Sequence, residues 1–221
     1  LSFNYSGSVT SEKMYDVTEM MDAAEWLDYA RLAKYNMGSY ASATPSYTAD
    51  LATWGSVGAS FANIEKGWVD GAWDASKVGN YNWGDHGKRT AVSTEHTISA
   101  SGGTEKFKGY GSFGYLRQEG TQPDQLYQRY TAKTNFEVSP TNWFKFGTTM
   151  NLSYGEQDYG YSFTKSSTGP GDYYSALKSM LPWTVAYDEN GDYIRNPAAG
   201  DVNIINPIKE LDYNTNNRQS L

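Results

Sequence analysis

Strand-like alternation of apolar and polar residues is the dominant pattern along the chain. In residues 2–10, Phe3, Tyr5 and Val9 alternate with serine, asparagine and threonine, which is the two-residue period of a strand with one polar face. The pattern returns after residue 95 and predicts strands over 2–10, 96–101, 107–116, 128–138 and 143–154. These segments predict an all-β fold of antiparallel strands.

A helical period interrupts the strands early in the chain. Apolar residues recur at intervals of three and four within Met20–Leu32. Asp16 and Glu19 have the spacing of a capping box, and Gly38 suits a C-cap. We therefore expect one amphipathic helix over about 17–36. Its stripe lacks the basic face of a membrane-surface helix, so we expect the helix to pack on the protein.

The strand over 143–154 has the length of a membrane-spanning strand. Alternation holds over eleven positions, and a tilted transmembrane strand needs about 9–11 residues. Phe146, Met150 and Leu152 share the face that we expect to meet lipid. The side chains expected to face a wet interior are Lys145, Asn151 and Ser153.

Aromatic residues cluster at both ends of these strands, as the girdles of membrane barrels do. One expected belt consists of Phe107, Phe136, Trp143 and Phe144, and the other of Tyr115, Tyr127, Tyr130 and Tyr154. The connections at 102–105 and 139–142 are short, whereas those at 11–95, 118–127 and after 155 are longer. Short periplasmic turns and long extracellular loops are typical of bacterial barrels. The pattern predicts a segment of an antiparallel transmembrane β-barrel, with long extracellular loops that contain short helices.

The composition argues against several classes of partner and site. The net charge of -7 and the isoelectric point near 4.8 argue against a nucleic-acid partner. The sequence has no cysteine, which removes disulfides and thiolate metal sites. It also lacks an apolar run long enough for a transmembrane helix, although a strand-built barrel needs none.

Three motifs resemble chemical sites, and each has a plainer explanation. Gly109–Gly114 matches the dinucleotide glycine pattern but lies inside a predicted strand, where glycines favour close backbone approach or curvature. Asp188–Asp192 resembles part of a calcium loop, but Asn190-Gly191 favours a hairpin turn, and calcium in the loops stays open. His86 and His96 lack further ligands for zinc. We therefore expect no catalytic residue, no metal site and no cofactor, and we do not expect an enzyme.

Several segments together resemble the early barrel of SusC/RagA-type TonB-linked outer-membrane proteins. The strand motifs are Thr94–Lys106, Gly109–Gly120, Tyr127–Phe136 and Asn142–Ser153, in the order of that family. The opening segment Ser2–Ser8 and the helix motif Glu25–Ala30 resemble its first strand and first loop. The resemblance covers about three quarters of the chain, and the ordered set is more specific than any single motif.

The resemblance implies a function in the bacterial outer membrane. The whole protein would be a plugged barrel of about 22 strands that imports glycans or peptides, driven by TonB, under a SusD-like surface lipoprotein. The plug domain and the TonB-contacting segment are expected outside these residues. A soluble or surface glycan-binding β-domain is the alternative, and no constellation supports a hydrolase.

Tryptophans concentrate in the predicted extracellular segments. Trp54, Trp68, Trp73, Trp83 and Trp183 lie there. They are candidates for contact with substrate or partner, as aromatics are at interface hot spots. Packing of the long loops on themselves is the plainer explanation, because Trp buries a large area.

Overall fold

The chain forms two compact units, an antiparallel sheet and a mainly helical unit. A computed structural model describes residues 1–15, 19–160, 172–198, 205–213 and 216–221. The elements, in chain order, are β1 (Ser2–Lys13), α1 (Ala23–Asn36), α2 (Tyr47–Trp54), α3 (Phe61–Glu65), β2 (Trp68–Val69), β3 (Ala72–Trp73), β4 (Thr90–Gly103), β5 (Phe107–Glu119), β6 (Gln125–Thr141), β7 (Phe144–Tyr159), α4 (Tyr173–Lys178), α5 (Pro207–Tyr213) and β8 (Asn217–Ser220). Three 3-10 helices cover Gly55–Ser60, Ala75–Lys77 and Trp83–Gly87.

The sheet is a meander in which each strand pairs with the next one of the sheet. Among the described residues its order is β1-β4-β5-β6-β7-β8, and each pair is antiparallel. The strands are longer than the alternation predicted. β4 begins at Thr90 rather than near 96, because the polar residues before 96 pair in register with β1 as far as Lys13. Ladder hydrogen bonds thus continue beyond the apolar part of each strand.

Two connections differ from the sequence prediction. The loop expected over 118–127 is reduced to 120–124, where Gly120 N donates to Gln125 O at 2.9 Å and Asp124 has a φ of 58°. Strand β6 also continues through Pro140, where the turn over 139–142 was predicted. The register shifts between Val138 and Thr141, and this irregularity accommodates a proline that cannot donate to the ladder.

The helical unit has its own core. It contains the described residues of 15–87 and of 172–213, two stretches separated by most of the sheet. The core cluster consists of Ala23, Leu27, Trp54, Val57, Phe61, Ile64 and Trp183. Asn63 Nδ2 donates to Trp183 O at 2.9 Å, and Val185 N donates to Ser60 Oγ at 3.1 Å. The two inserted stretches therefore fold as one unit.

Helix α1 begins later than the predicted 17–36. Asp22 is its N-cap, and the Asp22 carboxylate accepts from Glu25 N while the Glu25 carboxylate accepts from Asp22 N. This capping box, rather than Asp16 with Glu19, sets the start at Ala23, because it satisfies the first free amides of the helix. The expected cap Asp16 and residues 17–18 of the predicted helix lie outside the described residues. Within the described helices, none is long and apolar enough to cross a membrane.

Candidate functional site

The two faces of the sheet differ sharply in polarity. Strand register places Tyr5, Ile98, Phe113, Ala132 and Leu152 side by side on one face. Cross-strand partners on the opposite face include Ser99, Ser112, Lys133 and Asn151. One face is therefore apolar across five strands, while the other carries hydroxyl, amide and charged groups.

The apolar face is not covered by the described part of the protein. Phe146, Met150 and Leu152, the residues expected to face lipid, are 55%, 50% and 58% exposed. Among the buried apolar side chains of the described residues, Ala91 is the only one in the sheet unit. A water-soluble sheet would bury such a face in a dry core, because each large apolar side chain is worth about 1.5–3 kcal/mol when buried.

Aromatic rows border the apolar face. At one end His96, Tyr115, Tyr130 and Tyr154 are successive partners, and Tyr115 and Tyr130 lie 5.0 Å apart between ring centroids. Phe107, Val138 and Phe146 are partners at the other end. From 144 to 154 the strand is about 33 Å long, and a tilt of about 40° gives a band about 25 Å tall.

Tyr127 does not belong to the belt that its position near the strand end predicted. Its register partners, Gln118 and Gln157, lie on the polar face. The assignment from the sequence was wrong because the ring was grouped by its distance along the strand, whereas the two-residue period puts Tyr127 opposite Tyr130.

Three of the five candidate tryptophans are buried. Trp183, Trp83 and Trp54 are 0%, 3% and 8% exposed. Trp26, Trp54 and Trp183 lie within 6.2 Å of one another between ring centroids. Trp83 Nε1 donates to Leu181 O and Thr184 O. These rings pack inside the helical unit, so they present little or no surface to a ligand.

Trp68 and Trp73 are half-buried neighbours on the β2–β3 hairpin. Their ring centroids are 5.2 Å apart, and the two residues are register partners. Trp68 Nε1 donates to Asp50 Oδ2 at 3.3 Å, and the Arg31 guanidinium lies 3.9 Å from the Trp73 ring centroid. Contact between substrate or partner and the candidate tryptophans stays a prediction, and these two retain exposed ring surface for it.

A buried ion pair joins α1 to α2, and the sequence analysis missed it. Arg31 Nη2 and Nε donate to the Asp50 carboxylate at 2.6 Å and 3.2 Å, and both side chains are fully buried. The guanidinium also contacts the exposed carboxylate of Asp28 at 3.1 Å. The one available signal was a charged residue on the apolar stripe of a helix. Nothing in the sequence pointed to Asp50 as its partner.

Burial raises the pKa of phenols in the helical unit further above their ordinary value. Desolvation is the largest influence on Tyr40 and raises its pKa, and the Tyr40 hydroxyl donates to Thr53 Oγ1 at 2.7 Å. Burial likewise raises the pKa of Tyr81. Both tyrosines, already neutral at physiological pH, are held further from ionisation.

The histidines and the loop carboxylates have structural partners. His96 Nδ1 lies 2.8 Å from Tyr5 Oη, and His86 Nε2 lies 3.1 Å from Tyr81 Oη. Asp188 Oδ1 accepts from the amides of Asn190 and Asp192, which forms the turn expected at Asn190-Gly191. No group of three His, Asp or Glu side chains suited to a metal occurs within the ranges that the structure describes.

Comparison with known proteins gives one similar curated sequence and a group of similar structures. No family model matches the chain. The TonB-dependent receptor P3 of Formosa agariphila is 28% identical over 126 residues, which cover 56% of this chain and 12% of that protein.

Structures of the RagAB peptide importer are among those similar to this chain. The open-open state has a TM-score of 0.59 at 21% identity, with 93% of this chain and 23% of that chain covered. The closed-closed state has a TM-score of 0.57 at 22% identity and covers 88% and 21%. The chain thus spans about an eighth of the curated relative and under a quarter of the structural neighbours, whose fold it shares.

Proposed function

We propose that this chain, a segment of a SusC/RagA-type TonB-dependent transporter in the bacterial outer membrane, forms part of the barrel wall through which the whole protein imports nutrients. The uncovered apolar face, opposite a polar face, is the observation that carries the proposal. In a membrane barrel the apolar side chains meet hydrocarbon and their neighbours line a wet interior. Phe146, Met150 and Leu152 are the proposed lipid contacts.

Closure of the barrel is part of the same proposal. β1 and β8 are the edge strands of the described sheet. An open sheet edge is not tolerated in hydrocarbon, because its amides and carbonyls would lack partners. We propose that further strands of the same protein pair with both edges and close the barrel.

The positions of the two insertions support an orientation. The chain leaves the sheet after Lys13 and returns at Thr90, and it leaves again after Tyr159 and returns at Asn217. These four residues lie at one end of the sheet, the end that also holds the turn 120–124. The turns 104–106 and 142–143 are at the other end. Large insertions favour the extracellular side, so 104–106 and 142–143 are assigned to the periplasm.

Two partners follow from the proposed function. A SusD-like surface lipoprotein is the proposed extracellular partner. The similarity to structures of the RagAB peptide importer supports the proposal of a transporter. TonB is the proposed energy-coupling partner of the whole protein. Glycans and peptides are both proposed as cargo classes. Trp68 and Trp73 are the loop residues that we propose for contact with substrate or partner.

Cysteine labelling on intact cells tests the membrane orientation. The chain has no native cysteine, so single substitutions report cleanly. A membrane-impermeant maleimide should label Asp124→Cys in intact cells, and it should label Glu105→Cys only after the outer membrane is permeabilised. Equal labelling of both before permeabilisation contradicts the proposed orientation. Nutrient uptake that is unchanged when the gene for this protein or for TonB is deleted contradicts the import function.

A further inference from the structure

A row of polar side chains crosses four strands on the polar face. Gln118 on β5, Tyr127 on β6, Gln157 on β7 and Arg218 on β8 are successive register partners. Adjacent strands lie about 4.8 Å apart, so the row is about 14 Å long. Within the described part of the chain, none of these four side chains forms a hydrogen bond or ion pair with the protein.

A glycine forms the floor of a cavity beside this row. Gly155 is the register partner of Arg129 and Ser220 on the neighbouring strands. A Cβ atom at Gly155 would lie 3.2 Å from Ser220 Oγ and 3.5 Å from Tyr127 Oη. The missing side chain opens a cavity of about 430 Å³, lined by the row together with Tyr159 and Ser220.

The charge around the cavity is positive. Arg218 has no carboxylate partner among the described residues, and Arg129 Nε is buried without a hydrogen-bond partner there. On the strands that line the cavity, Glu119, Glu156 and Asp158 lie on the opposite face by register, although Glu119 and Asp158 line an adjacent cavity together with Gln118, Tyr127 and Gln157. The nearest carboxylate on the polar face, Glu95, is two strands from Arg129, or about 10 Å.

We propose that this row and its cavity form a binding subsite for the carboxylate end of a short extended peptide. The inference rests on the proposed function and names a cargo class for it. The Arg218 guanidinium can take the terminal carboxylate as a planar fork, with Arg129 adding positive charge. Gln118 and Gln157 each offer the donor and the acceptor that a peptide group requires. At about 3.3 Å per residue, the row accommodates about four residues.

A neutral oligosaccharide fits the same groups less well. Its hydroxyls match the glutamines and could stack on the tyrosine rings, but they leave both guanidinium groups uncompensated. Removing a charged hydrogen-bond partner typically costs about tenfold in affinity. The uncompensated charge therefore favours a ligand that carries a carboxylate.

Calorimetric titration of the purified full-length transporter tests the subsite. The probes are a mixed-sequence pool of N-acetylated tetrapeptides with a free C-terminus, the same pool as C-terminal amides, maltotetraose and an oligogalacturonate. We expect amidation to weaken binding by roughly tenfold in the native protein and to have no effect in Arg218→Gln. Arg117→Gln, an arginine on the opposite face of β5, is the matched control and should retain the tenfold difference.

Cavity filling gives a second variant that does not alter charge. Gly155→Val should weaken binding of the free-acid pool, because the side chain occupies the cavity floor. Gly111→Val is its control, because a Cβ at Gly111 meets no atom within 4 Å on the apolar face. Equal affinity for acid and amide, no binding of the acid, or an unchanged Arg218→Gln protein overturns the subsite. Binding of maltotetraose or oligogalacturonate alone overturns the peptide assignment.

Nutrient uptake by cells distinguishes failure of the subsite from failure of the proposed import function. TonB-dependent nutrient uptake that Arg218→Gln leaves unchanged rejects the subsite and preserves the import function. Absence of TonB-dependent uptake by the native transporter rejects both.

Discussion

At the residue scale, the helical unit depends on polar groups that its core encloses. The Arg31–Asp50 pair lies among the tryptophans rather than at the surface. A buried charge that loses its partner is strongly destabilising, whereas an exposed pair contributes little. Arg31 has one partner of each kind, so the two contributions can be compared on the same guanidinium.

Asp50→Asn is expected to lower the free energy of local unfolding of α1 and α2 by about 3–5 kcal/mol. Asp28→Asn, which removes the exposed partner, should change it by less than about 1 kcal/mol. Hydrogen exchange of the α1 amides in the full-length protein measures both. Similar protection in the two variants would contradict the buried role of Asp50.

Two buried tryptophans provide a second comparison. Trp83 Nε1 donates to two carbonyl oxygens, whereas Trp183 Nε1 has no partner among the described residues. Both lose similar ring area when changed to Phe, but only Trp83→Phe leaves a buried acceptor, Thr184 O, without its donor, since Leu181 O still accepts from Thr184. We expect Trp83→Phe to cost about 1 kcal/mol more, measured by the same exchange experiment. A larger loss in Trp183→Phe would contradict this.

At the element scale, the strands were easier to predict from sequence than the helical unit. Alternation around Phe146–Leu152 marked where β7 lies, because a half-exposed strand repeats every two residues. It could not mark the strand ends, where β4 pairs through polar residues. The core of the helical unit could not be predicted from the sequence, because residues as distant as Asn63 and Trp183 meet only in the folded chain.

The start of α1 depends on one capping box. Asp22→Ala removes the acceptor for Glu25 N and should destabilise the helix by about 1 kcal/mol. Asp22→Ser, which keeps a capping oxygen, is the matched control. Amide exchange of the first turn measures the effect. Equal protection in the two variants would show that another group sets the helix start.

The middle of β7 should tolerate charge on one face only. Met150→Arg places a charge near the centre of the proposed lipid band and should cost about 2–4 kcal/mol. Asn151→Arg, one position away on the polar face, should cost much less. Denaturant titration of the full-length protein refolded into vesicles measures both. A comparable cost at the two positions would argue against a lipid-facing row.

At the scale of the whole molecule, the two units differ in where they place their large apolar side chains. The helical unit buries tryptophan and leucine in a core of its own, as a water-soluble unit does. The sheet buries almost none of its large apolar side chains in the described structure. A soluble glycan-binding domain would need that face to be covered, so the uncovered apolar face favours the membrane barrel over this alternative.

Spin labels placed one at a time along 144–154 of the full-length transporter in bilayers test the central claim most directly. The account predicts that labels at Phe146, Met150 and Leu152 collide with oxygen dissolved in the lipid. Labels at Lys145, Asn151 and Ser153 should instead collide with a water-soluble nickel complex. Uniform accessibility along the strand, or protection of both sets from both reagents, would contradict it.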